Sequence, residues 1–284
     1  DYVERQSGLC ELALHNFPLL GLGHIRIHNR DGISYLQEML PVDCLFLDPA
    51  RRDGHGGKTV AISDCEPDVT VLEPLLVDKA KKVMVKLSPM LDLSLALNEL
   101  KTVRAVHIVA VNNECKELLL ILQKESVSSE VSIHCEHIAG NGESRHYTFT
   151  LKQEKTSPCL LADEVGTYLY EPNAAILKAG AFRSLTQTYP VAKLHLNSHL
   201  YTSVSLVPDF PGRRFRVEAV SGFGKKELKA FLMDMDKANI TIRNFPLSVA
   251  ELRKRLKLKE GGDDYIFATT LSGGQKVLIR GKKC

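Results

Sequence analysis

A chain of 284 residues with 44% hydrophobic and 25% charged residues has material for two domains or three small ones and an ordinary soluble core. No stretch approaches 18 consecutive apolar residues, which excludes a membrane-spanning helix, and no signal-peptide pattern is present. The net charge of +3 conceals an asymmetry: from Arg213 onward there are 17 Lys and Arg against 8 Asp and Glu, whereas the remainder has 20 against 26. A basic end on an acidic body fits a polyanionic partner, although a solvated basic face is the commoner origin of such a balance. The cysteines at 10, 44, 65, 115, 135, 159 and 284 are odd in number and form no C-x-x-C pair. They read as reduced thiols of a cytoplasmic protein, and no structural metal is expected.

Tyr2-Val-Glu4 reads as the end of a strand with an acid at its tip. Residues 7–17 place Leu9, Leu12, Ala13 and Phe17 on one helical face, with Ser7 as N-cap, and Gly21-Leu-Gly23 as C-cap. Residues 24–28 alternate as a strand that runs into Asn29-Arg-Asp31-Gly32, and a short helix follows over 33–40. From Val42 an apolar run too short for a helix ends at Asp48-Pro49, where proline removes a backbone donor and stops the strand. That is the profile of a fully buried parallel strand carrying a carboxylate to the edge where open α/β sheets bind ligands. An Asp-Pro turn is the plainer alternative.

Past a Gly-rich loop at 53–57, a helix is expected over 67–82. A strand over 83–87 stopped by Ser88-Pro89, a helix over 91–100 and a strand over 105–111 follow. Residues 114–123 could be helix or strand, since periodicity does not decide. Strands 131–138 and 145–151 flank an Asn-Gly hairpin signal at 140–142. The alternation predicts a parallel, doubly wound α/β sheet. Residues 152–165 read as a linker, and 168–180 as a helix capped by Asn173. From Phe215 the pattern is strand (215–220), helix (225–237), strand (240–245), helix (249–256) and two strands (265–271, 276–280) joined by a hairpin at 272–275. The expected domains are 1–155, a small connecting domain over 156–214, and a basic module over 215–284.

Glu4, Asp31 and Asp48 fall at the ends of successive strands. A carboxylate at such a tip can accept both ribose hydroxyls of a nucleoside cofactor, a second can accept from an adenine amino group, and a third can hold a substrate amine. Three readings compete. One is a cofactor-dependent transferase. Another is a metal-dependent phosphoesterase using Asp53, His55, Asp64, Glu66 and Asp68, residues more simply explained as loop and helix-start acids. The third is a non-catalytic RNA-binding adaptor built on the basic end. His134-Cys-Glu-His137 resembles a ligand cluster, but in a strand these residues alternate faces. Arg213, Arg214 and Arg216, just after Pro211-Gly212, could contact RNA phosphates or form an exposed loop; Arg243 joins them as a candidate.

The order YVER, NRDG, FLDPARR, KLSPM resembles the second half of a class I S-adenosylmethionine-dependent methyltransferase domain. DPARRD followed by SDCEPD, VKLSPMLD and NECKELL is similar to a Bacteroidetes-type group with a C-terminal THUMP-like domain, as are YEPN…ILKAG at 170–180 and ITIRNFP at 240–246. The resemblance implies a Rossmann-like sheet followed by ferredoxin-like and THUMP-like modules, and S-adenosylmethionine as cofactor. RNA would be the partner, tRNA ahead of rRNA.

Carried onto this chain, Glu4 would bind the cofactor ribose, Asp31 with Gly32 would face the adenine, and Asp48 would border the cofactor. Asp48 and Pro49 would occupy the place of the Asp/Asn-Pro-Pro-Tyr/Phe of amine-directed methyltransferases and orient the acceptor. The chain departs from that pattern with Ala50 and Arg51, and Arg51 would stack on a base or hold a phosphate. Ser88-Pro89 has no Cys to act as a pyrimidine nucleophile. No Gly-x-Gly-x-Gly precedes Glu4, so a truncated domain lacking its first strand, with weak cofactor binding or none, is expected.

Overall fold

The computed structural model of the chain describes residues 1–51, 61–124 and 130–284, with the side chain of Arg51 outside that description. The chain packs as two compact units, residues 1–107 with 117–131, and residues 108–116 with 132–284.

In the first unit, β1 (Tyr2–Glu4) runs parallel to β2 (Ile27–Asn29), with Glu4 opposite Asn29. The helix between them, α1 (Ser7–Leu19), is capped by Gln6 rather than Ser7, and no side chain completes the cap. Gly21 follows it at φ 74°, a left-handed position that costs glycine little. The apolar face expected of α1 is only partly covered: Ala13 is buried and Phe17 half-buried, while Leu9 and Leu12 are exposed. Helix α2 (Gly32–Glu38) starts where the Asp31 carboxylate accepts the Ser34 N–H.

Strand β3 (Val42–Leu47) is followed by β4 (Ala50–Arg51), which pairs antiparallel with β5 (Cys65–Glu66). Helix α3 (Val69–Lys79), capped by Asp68, passes directly into β6 (Ala80–Leu87), which lies parallel to β3. Asp92 caps α4 (Leu93–Glu99). Buried Glu73 of α3 accepts the backbone N–H groups of Lys101 and Thr102 and the Thr102 hydroxyl, which fixes the entry to β7 (Val103–Val111).

The undecided segment is a strand, β8 (Glu114–Leu122), antiparallel to β6. Leu118, Leu120, Ile121 and Leu122 are all buried, so both faces of the strand are covered and no period survives in the sequence. Asn112 and Asn113, at φ 50° and 64°, make the two-residue turn between β7 and β8. Such a turn needs positive φ at both places and joins only antiparallel neighbours.

The expected parallel, doubly wound sheet is parallel at β3–β6 and mixed beyond it, since β8 is antiparallel to β6; the strand order is β7-β8-β6-β3. Two further expectations change with it. Strands β1 and β2 form their own ladder, so the three acidic tips do not share one hydrogen-bonded sheet. Strand β3 is parallel but not fully buried: it pairs with β6 on one edge, no described strand pairs with the other, and Cys44 and Phe46 are exposed.

In the second unit β9 (Ser132–Ile138) pairs antiparallel with β10 (Ser144–Thr150). The Asn-Gly turn between them closes with Gly142 at φ 85°. The supposed linker begins with a helix, α5 (Leu151–Thr156), whose Glu154 accepts the backbone N–H groups of Phe182, Arg183 and Ser184. The helix expected over 168–180 is half strand: β11 (Tyr168–Pro172) precedes α6 (Ala174–Ala179). Tyr-Leu-Tyr favours a pleated surface and Pro172 offers no N–H to a preceding helical turn, and the helix starts only at the Asn173 cap. The Asn173 side chain accepts the Ile176 N–H at 3.1 Å.

After α7 (Ser184–Thr188), β12 (Ala192–Lys193) and β13 (Tyr201–Ser203), the long strand β14 (Gly212–Ser221) contains the segment read as a possible loop. Helix α8 (Lys225–Phe231) is shorter than expected, and Asp234 beyond it has φ 64°. Strand β15 (Asn239–Arg243) leads to α9 (Val249–Leu256), which carries a Ser248–Glu251 capping box. Strands β16 (Tyr265–Thr270) and β17 (Lys276–Lys283) complete the sheet, in the order β12-β13-β11-β14-β17-β16-β15. Residues alternate between two cores along it. Leu169, Phe215, Phe267 and Ile279 share one cluster; Ile266, Ala268 and Leu278 pack with Phe231, Leu252 and Leu256 of α8 and α9. No helix is long and apolar enough to cross a membrane among the described residues.

Candidate functional site

Glu4 ends β1, half-buried, and its Oε1 accepts the Gln6 N–H at 2.8 Å. Asp31 lies two residues past the end of the neighbouring β2. Its Oδ1 accepts from the Ser34 N–H at 2.9 Å and the Ser34 hydroxyl at 3.0 Å. These bonds hold the Asp31 carboxyl below its ordinary range, so it is an ionised acceptor at neutral pH. Gly32 is exposed at the first position of α2.

One guanidinium lies in the field of these acids. Arg5 donates to Glu66 at 2.9 Å, and Glu66, Glu4 and Asp31 all raise its pKa. Glu66 in turn pairs with Ala50 across the β4–β5 ladder. The Arg5–Glu66 bridge therefore ties the tip of β1 to the chain immediately after Asp48-Pro49. Pro49 is buried. The Asp48 side chain is 53% exposed and meets Lys86 Nζ of β6 at 2.8 Å; Glu117 is 3.7 Å from the same ammonium. The Asp48 hydrogen bond raises the Lys86 pKa. Arg51 lies in β4, and its side chain is outside the described residues. In water such bridges contribute about 0–1 kcal/mol each, so they orient more than they stabilise.

Of the acids considered as a metal set, Asp53 and His55 lie outside the described residues. Asp68 caps α3 through Thr70, Glu66 is bound to Arg5, and Asp64 sits in a 3₁₀ turn over 62–64. Each has a local role.

The basic candidates separate by partner. Arg213 and Arg243 both donate to Glu171, which is only 2% exposed: Arg213 Nε reaches it at 2.8 Å and Arg243 at 2.9 Å. Arg213 also lies 5.5 Å over the Phe215 ring. Arg214 donates to the Pro208 carbonyl. Arg216 is exposed and stands opposite Tyr168 on β11 and Lys282 on β17. The expected alternative of an exposed loop at 213–216 is thus corrected to a strand. Gly212 permits it: a Cβ there would lie 2.1 Å from the Glu171 carbonyl oxygen.

Sequence reasoning missed Arg5, Lys86, Glu171 and Lys282. Arg5 stands next to Glu4 in YVER and could have been noticed. The other three acquire their meaning only from strand register.

Residues 168–211 match a family described as a ferredoxin-like domain, and residues 212–283 one described as THUMP domain-like. No curated protein matches the chain. The crystal structure of a putative methyltransferase from Porphyromonas gingivalis W83 is similar to the chain, with a TM-score of 0.88 and 36% identity. The match covers 100% of this chain and 71% of that one. With a mixed α/β sheet followed by ferredoxin-like and THUMP-like modules, the chain belongs to the methyltransferase family that carries a C-terminal THUMP-like domain.

Proposed function

We propose that this protein transfers a methyl group from S-adenosylmethionine to a nucleotide in a structured RNA, tRNA ahead of rRNA. The observation that carries the reading is the Arg5–Glu66 bridge, which links the residue next to Glu4 to the strand opposite Ala50, directly after Asp48-Pro49, in a member of this family. The donor set suits the cofactor: two carboxylates at adjacent parallel strand ends are acceptors for ribose hydroxyls and for an adenine amino group. S-adenosylmethionine, when bound, supplies the electrophilic methyl group. Glu4 accepts the ribose hydroxyls. Asp31, with Gly32 leaving room beside it, accepts from the adenine amino group through the oxygen not used by the Ser34 cap. Asp48 is held by Lys86 and leaves its second oxygen to accept a hydrogen bond from the target amine; a carbonyl of the Asp-Pro turn accepts the other. Orientation of this kind is the main catalytic contribution such a site makes. Arg51 steadies the base or its phosphate.

In this reading, residues 1–155 carry the transfer chemistry, 156–214 connect, and 215–284 bring the RNA. The +9 balance from Arg213 onward and the THUMP-like match support an RNA partner. The coupling of Asp48 to Lys86 favours a second reading, an RNA-binding adaptor without turnover, because it occupies part of the carboxylate. Transfer of labelled methyl groups to bulk RNA, paired with calorimetry of S-adenosylmethionine binding, separates the two. Labelled RNA that disappears with Asp48→Ala supports transfer. RNA binding with neither label nor binding heat supports the adaptor.

A further inference from the structure

The second unit holds a cleft of about 250 Å³ that the proposed transfer chemistry does not use. The β9–β10 hairpin and the ends of β14 and β17 wall it. Arg145, Arg213 and Arg214 bring guanidinium groups to it, that of Arg213 paired with buried Glu171, and Glu143 is the acidic side chain of the lining; Lys283 also lines it, its Nζ 5.2 Å over the Tyr265 ring. The three guanidinium groups are already anchored. Arg145 donates to the Phe210 carbonyl at 3.2 Å, Arg213 to buried Glu171 at 2.8 Å, and Arg214 to the Pro208 carbonyl. A guanidinium has five N–H donors in a fixed plane, so each keeps donors for a ligand and loses little freedom when one arrives.

His137, also on the wall, accepts the Asn113 N–H at its Nε2 at 3.1 Å. That bond leaves the ring proton on Nδ1. Burial and the Arg145 charge lower the His137 pKa, so the ring is neutral at pH 7.

The positive surface continues along the strands. Arg216, two residues beyond Arg214, faces Lys282 directly across the ladder, with Tyr168 on its other side. Like charges directly opposite destabilise a sheet, and an anion between them removes that penalty. The cleft is smaller than the roughly 300–1,000 Å³ of sites that enclose a whole drug-sized molecule. Its cationic, shallow character suits a charged backbone more than an engulfed base.

Building on the RNA reading above, we propose that this cleft seats a phosphodiester of the RNA backbone on Arg145 and Arg214, and that Arg216 and Lys282 take the next phosphate. Arg213 is tied to Glu171 and serves to position rather than to bind.

The test uses the full chain and fluorescence anisotropy with labelled unfractionated tRNA, titrated between about 50 and 200 mM salt. Arg145→Gln/Arg214→Gln is expected to weaken binding about tenfold at the lower salt. It should also flatten the slope of log affinity against log salt by about 0.7–0.9 for each phosphate the variant no longer neutralises. Arg216→Gln/Lys282→Gln, an exposed pair, should flatten it likewise and serves if the first variant folds poorly. Lys254→Gln/Lys257→Gln removes the same charge from exposed positions at the end of α9 and should leave the slope unchanged. RNA binding by the wild type with an unaltered slope in both cleft variants overturns the cleft assignment and leaves the RNA reading standing. So does an equal loss in the α9 variant, which would mean diffuse charge. A wild-type chain that shows no salt-dependent RNA binding removes the RNA reading and the cleft with it.

Discussion

Glu171→Ala exposes the energetics of the second unit most directly. The Glu171 side chain is 3% exposed and receives both Arg213 and Arg243. Removing it leaves two guanidinium groups facing each other across a vacated site. Breaking a buried ion pair from one side costs about 3–5 kcal/mol, because the remaining charge is uncompensated. Here the arginine side chains are 34% and 35% exposed and can turn partly to water, which brings the expected cost down to about 2–3 kcal/mol. For a unit of this size each kcal/mol moves Tm by roughly 2–4 °C, so a fall of about 4–12 °C is expected. Urea denaturation should show a lower midpoint with an unchanged m-value.

A triple variant, Glu171→Met/Arg213→Met/Arg243→Met, separates the missing attraction from stranded charge. Replacing every member of a buried ionic cluster by apolar residues of similar volume is often neutral or stabilising. The triple should therefore recover most of the stability. A single-variant shift under about 2 °C, or a triple no more stable than the single, would refute the reasoning.

Asp48→Asn should reduce methyl transfer at least a hundredfold while leaving the urea midpoint within about 0.5 kcal/mol of wild type, since its exposed bridge to Lys86 contributes little; initial rates and denaturation on one preparation check both halves. Glu73→Ala strands the Lys101 and Thr102 N–H groups and is expected to cost about 2–4 kcal/mol, given that hydrogen bonds to charged groups are worth about 1.5–3 kcal/mol and do not add fully; loss of hydrogen-exchange protection at the start of β7 would report it. His199 stacks on Phe182 at 3.7 Å, its Nδ1 is buried without a partner, and burial with the charges of Lys193 and Arg243 lowers its pKa to about 4. The unfolded chain therefore binds the proton first, and stability is full above about pH 6.5 and declines as pH falls toward about 4. His199→Gln should flatten that part of the urea-midpoint profile, and an identical profile in the variant would exclude His199 as its source.

The elements legible in the sequence are those whose signals are local. Helix α9 appears over its predicted span because Ser248 and Glu251 form a reciprocal cap next to an apolar stripe. The β9–β10 hairpin appears because Asn141-Gly142 can adopt the turn. Where the outcome depends on what covers a segment, the pattern is silent or misleading. Strand β8 is buried on both faces and has no readable period. The run at 168–180 contains a helix cap in the middle of what looks like one element. The α1 face reads as covered, yet its leucines are open.

The candidate site follows the same division. Acids at strand ends can be found by looking just past short apolar runs, and Glu4, Asp31 and Asp48 are legible in that way. Their counter-charges are not, because partners 38 to 72 residues away meet only in the fold: Lys86 with Asp48 through the β3–β6 register, and Arg243 with Glu171 although their strands are not neighbours in the sheet. This asymmetry decides which arginines can serve a polyanion. Side by side in sequence, Arg213 and Arg214 look equivalent, but alternation along β14 sends one toward a buried carboxylate and the other to a backbone carbonyl. A carboxylate cancels charge and a carbonyl does not. Arg214 thus keeps its full field for a ligand while that of Arg213 is largely neutralised, and a count of basic residues along the chain overstates what the surface offers to RNA.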